Sequence, residues 1–435
     1  MIRTLDARHL GLTAVVRELA RPPAAIDAQI PRVVDEILRA VREGGDAALL
    51  ELTARFDGLT VPAVTALAIP HGELEAAERA LDPSVRAALV YAAERIDRYH
   101  AAALPKAWRI TDEHGSILGQ EVRALERVGI YVPGGRAAYP STVLMTAVPA
   151  RVAGVPEIVL VTPPGRDGRV DQTVLAAARI AGVTEAWRLG GAQAIAALAY
   201  GTATIRKVDK VVGPGNIYVA LAKSRVFGEV GIDMVAGPSE VLVIADSEAD
   251  PEWIAADLLA QAEHDPMARA VLVTDAPDLA PRVARALASQ LGRLARKDIA
   301  SESLQKNGAL VLVASLEEAA ELANLLAPEH LELLVRVPQA LLPRVRHAGA
   351  IFVGGRTPEV VGDYVAGPSH VLPTAGTARF SSPLGVEDFV KRSSVIEYSH
   401  AGLQAALGHL RTLADIEGLG GHRAAADVRA GGEGR

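Results

Sequence analysis

The chain has 435 residues, half of them hydrophobic and 22% charged, a composition that predicts a packed globular protein and excludes a disordered one. Its formal net charge of −7 argues against a nucleic-acid-binding face, and the absence of cysteine excludes disulfides, thiolate metal sites and a cysteine nucleophile. No run reaches the roughly 18 apolar residues of a membrane span. The N-terminus MIRTLDARHLGLTAVV lacks a basic stretch followed by an apolar one, so the expectation is a cytoplasmic protein with neither signal peptide nor membrane partner.

Residues 1–125 read as mainly helical. Pro31 opens an apolar-periodic stretch from Val33 to Phe56, Gly58 closes it, and Asp82-Pro83 supplies an N-cap and first-turn pair for a helix through Tyr99. From 126 to 236 the pattern alternates. Strands are expected at 128–132, 157–161, 186–189 and 210–212, with helices at 141–153, 171–181, 192–200 and 216–226. A second series fills 237–375, with strands at 240–245, 270–274, 310–313, 333–335 and 350–353 and helices at 251–264, 277–294, 316–326 and 339–346. The fold class expected is therefore α/β, two units of parallel strands with crossover helices. Residues 376–435 return to helix, including a periodic run from His400 to Ile416, a short helix after Gly420 and a GGEGR tail. So small an extension cannot bury a core of its own and is expected to dock on another domain or subunit.

Four of the 11 histidines stand out by their company. Gln261 and His264 are three residues apart at a helix end, a spacing that turns both to one side and suits two ligands of one metal, though a polar C-terminal turn also accounts for them. Glu329-His330 is expected on a helix-to-strand loop after Pro328, where a carboxylate and an imidazole could divide general-base work. Asp363 and His370 lie in a glycine- and proline-framed stretch expected to be an irregular loop. Glu417 and His422 flank a glycine-rich turn near the C-terminus. Gln261, His264, Asp363 and His422 could form a mixed nitrogen–oxygen site suited to Zn²⁺, and also to Mn²⁺ or Co²⁺, but composition alone does not select that set. Glycine-rich strings follow strands at Tyr131–Gly135 and Gly213–Asn216, and the second precedes a helix whose amides could meet an anion. No G-x-G-x-x-G occurs, so the usual dinucleotide fingerprint is absent.

Taken together, VGIYVPGG (128–135), STVLMTAVPA (141–150), GGAQAIAALAYGT (190–202), VDKVVGPGN (208–216), AGPSEVLVIAD (236–246), DLLAQAEHD (257–265), APEHLEL (327–333), GDYVAGPSHVLPT (362–374) and EGLGGHRAA (417–425) resemble the histidinol dehydrogenase family, in the family's order. The resemblance implies two Rossmann-like α/β units lacking the glycine fingerprint, with helical extensions at both ends. It implies zinc ligands Gln261, His264, Asp363 and His422 and a catalytic pair Glu329 and His330. Substrate contacts would be Ser239, His370 and Glu417 besides the metal ligands and the catalytic pair, with Tyr131, Gln193 and Asn216 on the NAD⁺ side. It also implies a homodimer whose C-terminal segment completes the neighbour's site.

The implied reaction is a four-electron oxidation of L-histidinol to L-histidine with two NAD⁺. Without cysteine a thiohemiacetal is impossible, so water must attack the intermediate aldehyde. His330 is then the base for both hydride departures and Glu329 the activator of water. Three other readings remain open at this point: a related dehydrogenase of another small alcohol, a metal-dependent hydrolase without redox chemistry, and a catalytically silent metal- or amino-acid-binding protein, against which the intact Glu329-His330 pair speaks.

Overall fold

The computed structural model describes residues 2–19, 29–134 and 138–430. Gly135 of the first glycine string and the tail 431–435 lie outside the described residues. The strands in chain order are β1 (Arg3–Asp6), β2 (Trp108–Thr111), β3 (Ile117–Ala124), β4 (Arg127–Tyr131), β5 (Glu157–Thr162), β6 (Glu185–Arg188) and β7 (Lys210–Val212). They continue with β8 (Gly231–Ile232), β9 (Glu240–Ala245), β10 (Arg269–Thr274), β11 (Ala309–Leu312), β12 (His330–Leu334), β13 (Ala350–Val353) and β14 (Val390–Glu397). They fall into two compact units: Met1–Ala102 with Leu125–Phe389, and Ala103–Ala124 with Val390–Arg435.

The first unit holds two parallel sheets, a five-stranded one in the order β6-β5-β4-β7-β8 and a six-stranded one in the order β1-β11-β10-β9-β12-β13. Strands such as EVLVIA in β9 are buried along their whole length, because helices cover both faces of a parallel sheet. Both sheets are wound alike. The chain lays down a central strand, β4 or β9, adds two strands to one side, then crosses and adds two to the other. The strand order thus reverses between β4 and β7 and between β9 and β12, the places where open α/β sheets form crevices. This is the α/β class that the strand–helix alternation predicts.

The helix Gln29–Phe56 packs Val34, Leu38, Val41, Leu49 and Leu52 into the core of the five-stranded sheet. It is interrupted at Gly45, whose φ of 54° leaves the helical region. The helix Pro140–Val152, which follows β4, is buried continuously from Thr142 to Ala150. Among the described residues, no helix is long and apolar enough to cross a membrane.

The second unit is an antiparallel sheet in the order β14-β3-β2, with β14 and β3 paired from Val390↔Ala124 to Glu397↔Ile117. It also carries the helices His400–Ile416 and Gly420–Ala430, the first capped by the Ser399 side chain.

The structure departs from the sequence expectations in four places. Residues 1–125 are helical only to Ala103: β2 and β3 follow, and β1 joins the edge of the distant six-stranded sheet beside β11. The C-terminal region is not purely helical, because β14 pairs with β3. The sequence KRSSVIE within β14 is too polar to read as a strand until its partner is known. The helix Lys297–Lys306 was not anticipated, since its composition is mostly polar. β12 begins at His330 rather than at Leu333, so His330 stands on the strand itself and only Glu329 precedes it.

Arg127 opens β4 almost wholly buried. It pairs with Glu157 at the start of β5 and donates to both carboxylate oxygens of Glu185 on β6 at 2.8 Å. One guanidinium therefore pins the starts of three adjacent strands. Arg127→Met is expected to lower unfolding stability by about 2–3 kcal/mol in urea, because it removes charge-assisted bonds and leaves two carboxylates side by side. Arg206→Ala, which removes an exposed partner of the same Glu157, should change it by under about 0.5 kcal/mol. Equal losses would show that burial of Arg127 does not matter.

Candidate active site

The site grows from the first peptide of β9. Glu240 is buried there between β10 and β12, and its own carboxylate accepts from Arg269 on β10 at 3.1 Å. Its backbone N–H donates to Glu329 Oε2 at 2.9 Å. Its backbone carbonyl lies 3.1 Å from His330 Nδ1. A carbonyl oxygen only accepts, so Nδ1 carries the proton and Nε2 keeps its lone pair. The backbone of one residue, through the two peptide groups on either side of its Cα, thus holds the carboxylate and sets the tautomer of the imidazole. The Phe352 ring packs 5.9 Å from the His330 ring, at a tilt of 36°.

Both groups are buried, and this sets their chemistry. Desolvation lowers His330 to about 4, against a counter-pull from Asp363, so its imidazole is neutral near pH 7 and able to take a proton. Desolvation pushes Glu329 well above the usual carboxylate range. The Glu240 N–H and the Ser239 side chain oppose that shift, while the negative charges of Glu240 and Asp363 add to it. A carboxylate displaced upward in this way is a better matched base near neutral pH.

Three further elements bring ligand-type groups to the same place. Asp363 lies on the short helix Glu359–Tyr364 rather than in the irregular loop expected, and its backbone carbonyl accepts from His370 Nδ1 at 3.1 Å. His370 Nε2 is 3.3 Å from Thr142 Oγ1, at the start of the buried helix that follows β4. Ser369 donates to the Met145 carbonyl of that helix at 3.1 Å. Gln261 is fully buried near the end of the helix Pro251–Ala262. With its amide nitrogen turned to Glu359 it donates to both carboxylate oxygens, one of them at 3.1 Å, and its oxygen accepts from the Glu240 N–H at 3.3 Å. His264 is exposed in the turn after that helix, near enough for its charge to act on His330 and His370.

Among the described residues, His330, Glu359 and Asp363 each offer a ligand atom within 4.8 Å of one another. This acid–imidazole cluster shares only Asp363 with the ligand set implied by resemblance. Gln261 adjoins it through Glu359. The donors are hard oxygens and imidazole nitrogen, which fit a divalent metal such as zinc. Glu417 and His422 belong to the second unit, where Glu417 ends the helix His400–Ile416 and His422 lies in the helix Gly420–Ala430, both exposed.

The expected nucleotide-side residues sit at the opposite, carboxyl-terminal edge of the five-stranded sheet. Tyr131 ends β4 with its phenol buried and raised to about 12 by desolvation, accepting from the Gly191 N–H at 3.1 Å. Gln193 is buried too, and donates to Asp57 Oδ2 at 3.2 Å beside the Gly190 N–H at 3.1 Å. Asn216 is exposed and caps the helix Ile217–Val226 through Oδ1, which accepts from the Tyr218 and Val219 amides at 3.1 and 3.2 Å. The loop before it is braced from within. The buried ion pair Lys223–Asp233 takes both ends of the Gly213 residue: Lys223 donates to the Gly213 carbonyl and the Gly213 N–H donates to Asp233, each at 2.8 Å. Gly213 has φ 111° and presses on the Tyr131 carbonyl, so no side chain fits there.

Sequence reasoning missed Glu240, Glu359, Glu332, Asp257 and Thr142. The signals were present for the acids. Glu240 and Glu332 are charges inside otherwise apolar strands, and Asp257 and Glu359 fall four residues before Gln261 and Asp363 on their helices.

Two doubly wound lobes, a neutral buried imidazole with a buried carboxylate, and an adjoining oxygen–nitrogen cluster define a two-lobed α/β acid–base enzyme. The model of the histidinol dehydrogenase family matches residues 20–430. The chain is 52% identical over 428 residues to the histidinol dehydrogenase of Pseudomonas syringae pv. tomato, covering 98% of this chain and 95% of that one. It is 53% identical over 419 residues to that of Syntrophotalea carbinolica, covering 96% of each. The crystal structure of histidinol dehydrogenase from Elizabethkingia anophelis matches with a TM-score of 0.93 at 34% identity, covering 98% of both chains. The chain belongs to the histidinol dehydrogenase family.

Beneath the site, buried Asp257 and Glu332 share a hydrogen bond. Burial raises both, and the Asp257 charge adds to the shift of Glu332 while the shared hydrogen bond opposes that of Asp257, so the pair retains a proton. Folding raises the Glu332 value above 4.5, so its contribution to stability is full below that value and is lost as pH climbs through the raised one. Glu332→Gln cannot ionise. Its urea midpoint should therefore fall less steeply than that of the wild type as the pH is raised above neutral; parallel slopes would place the ionisation elsewhere.

Proposed function

We propose that the chain oxidises L-histidinol to L-histidine through histidinaldehyde, with two NAD⁺ as hydride acceptors and one zinc per subunit, the last step of histidine biosynthesis. Family membership makes it an NAD-dependent oxidoreductase, and the observation that carries the mechanism is the Glu240 backbone gripping both Glu329 and His330. With Nδ1 protonated, His330 Nε2 takes the alcohol proton as hydride leaves carbon for the first NAD⁺. Water then adds to the aldehyde, giving up its proton to Glu329 while protonated His330 returns its proton to the aldehyde oxygen and is neutral again. The resulting gem-diol loses hydride to the second NAD⁺ and a proton to His330. Atoms and electrons balance without a thiohemiacetal, which a chain without cysteine cannot form.

Gln261, His264 and Asp363 would hold the zinc, with His422 of a second copy as fourth ligand; when bound, the metal would supply a Lewis-acid anchor for the substrate amine and imidazole. Ser239 and His370, with Glu417 of a second copy, would contact the substrate. His370 would discriminate for an imidazole because its orientation is fixed by Asp363 and Thr142. On the nucleotide side Asn216 presents its amide outward, while Tyr131 and Gln193 shape the loops on which NAD⁺ lies. The region 126–236 is then the NAD⁺ side, 237–375 carries metal and catalytic groups, and 376–435 completes the site of a second copy in a homodimer, attached to the mainly helical 1–125. Ile416 and Val428, 76% and 70% exposed on the two C-terminal helices, are apolar groups that such an interface would cover.

NADH counted per L-histidinol consumed should be two, lost on chelation and restored by zinc. No NADH at any zinc level would overturn the assignment, and one NADH with aldehyde release would remove the second oxidation. His330→Asn should depress both oxidations by about 10²–10⁴-fold. Glu329→Gln should slow aldehyde oxidation far more than alcohol oxidation; equal losses would remove the water-activating role.

A further inference from the structure

Three carboxylates beneath the site take no part in these proton transfers, yet Glu359, Glu332 and Asp257 are 2%, 1% and 8% exposed. Each shares an element with a site residue. Asp257 lies one helical turn before Gln261, Glu359 one turn before Asp363, and Glu332 two residues after His330 on the same face of β12. Glu359 is the one that reaches upward into the site. With the Gln261 amide nitrogen turned toward it, its carboxylate accepts both contacts of that nitrogen, and Oε1 lies 3.6 Å from His330 Nδ1. Its backbone N–H donates to Glu332 Oε1 at 3.0 Å, which ties the start of its helix to β12.

We propose that Glu359 is a positioning residue that fixes which end of the Gln261 amide faces the metal. The inference rests on the reading of Gln261 as a ligand. A glutamine amide is nearly symmetric in shape but opposite in polarity at its two ends, and only the carbonyl oxygen can ligate. When ionised, the Glu359 carboxylate only accepts and draws the nitrogen; the Glu240 N–H, which only donates, draws the oxygen. The carbonyl keeps a second lone pair, and that is the one offered to the metal. Partners behind a ligand set its orientation in this way, and their loss weakens metal binding. The same carboxylate lies within the His330–Glu359–Asp363 cluster, so direct ligation by Glu359 is the outcome the test must separate.

The experiment is zinc affinity of the full chain, measured by competition with a chromophoric chelator, for wild type, Gln261→Ala, Glu359→Ala, Glu359→Gln and the double alanine variant. Glu359→Met replaces Glu359→Ala if urea unfolding shows the latter is not folded. Gln261→Ala and Glu359→Ala should each weaken zinc about 10–100-fold. Glu359→Gln should stay within about threefold of wild type, because its carbonyl still accepts from Gln261. The double variant should bind no more weakly than Gln261→Ala, since the two side chains act as one unit. Wild-type affinity in both the Glu359→Ala and Glu359→Met variants, beside a loss in Gln261→Ala, would overturn the proposal. So would equal losses in Glu359→Gln and Glu359→Ala, or additive losses in the double variant, since Glu359 would then be a ligand itself. Wild-type affinity in Gln261→Ala would instead overturn the underlying assignment of Gln261.

Discussion

The site hangs from the backbone of one residue, Glu240 at the first position of β9. Its N–H is shared by Glu329 and the Gln261 oxygen, and its carbonyl takes the His330 ring. A backbone group in the middle of a six-stranded parallel sheet is held by its neighbours on both sides, so it cannot drift as a loop would. The side chains that depend on it inherit that rigidity, which is what the base role proposed for His330 needs.

The chemistry sits on an unusual edge. In open α/β sheets ligands generally gather at the carboxyl ends of the strands. The residues placed on the nucleotide side follow that rule at the ends of β4 and β7, but Glu240, Glu329 and His330 stand at the amino ends of β9 and β12. The buried helix Pro140–Val152 joins the two. It follows the loop after β4, and through Thr142 and Met145 it meets His370 and Ser369. The two groups of residues, at opposite edges of two sheets, thus share one buried connector.

Gathering Glu240, Glu329, Glu332, Glu359 and Asp257 in a desolvated volume opposes folding, since like charges in low dielectric repel and lose hydration. The structure offsets this with backbone donors, with the Arg269 partner of Glu240, and with protons retained on the most crowded pair. The apolar sheets on either side, with β9 and β10 almost wholly buried, supply the stability against which that cost is set.

The sequence alone determined a good deal. Alternating apolar runs and helical stretches named nearly every strand of both parallel sheets, because buried parallel strands are continuous apolar runs that local periodicity can read. Glu329, His330, Gln261, Asp363 and His370 were legible as candidates because charged or imidazole side chains are conspicuous beside prolines, glycines and apolar runs. Only the tertiary structure decided the rest. That β1 crosses to the far sheet and that the polar strand β14 pairs with β3 are long-range events, invisible in any local window. The roles of Glu240 and Glu359 are likewise unreadable in sequence. They act through a backbone amide, a backbone carbonyl and the polarity of a neighbouring amide, and those are settled by which chain segments lie side by side.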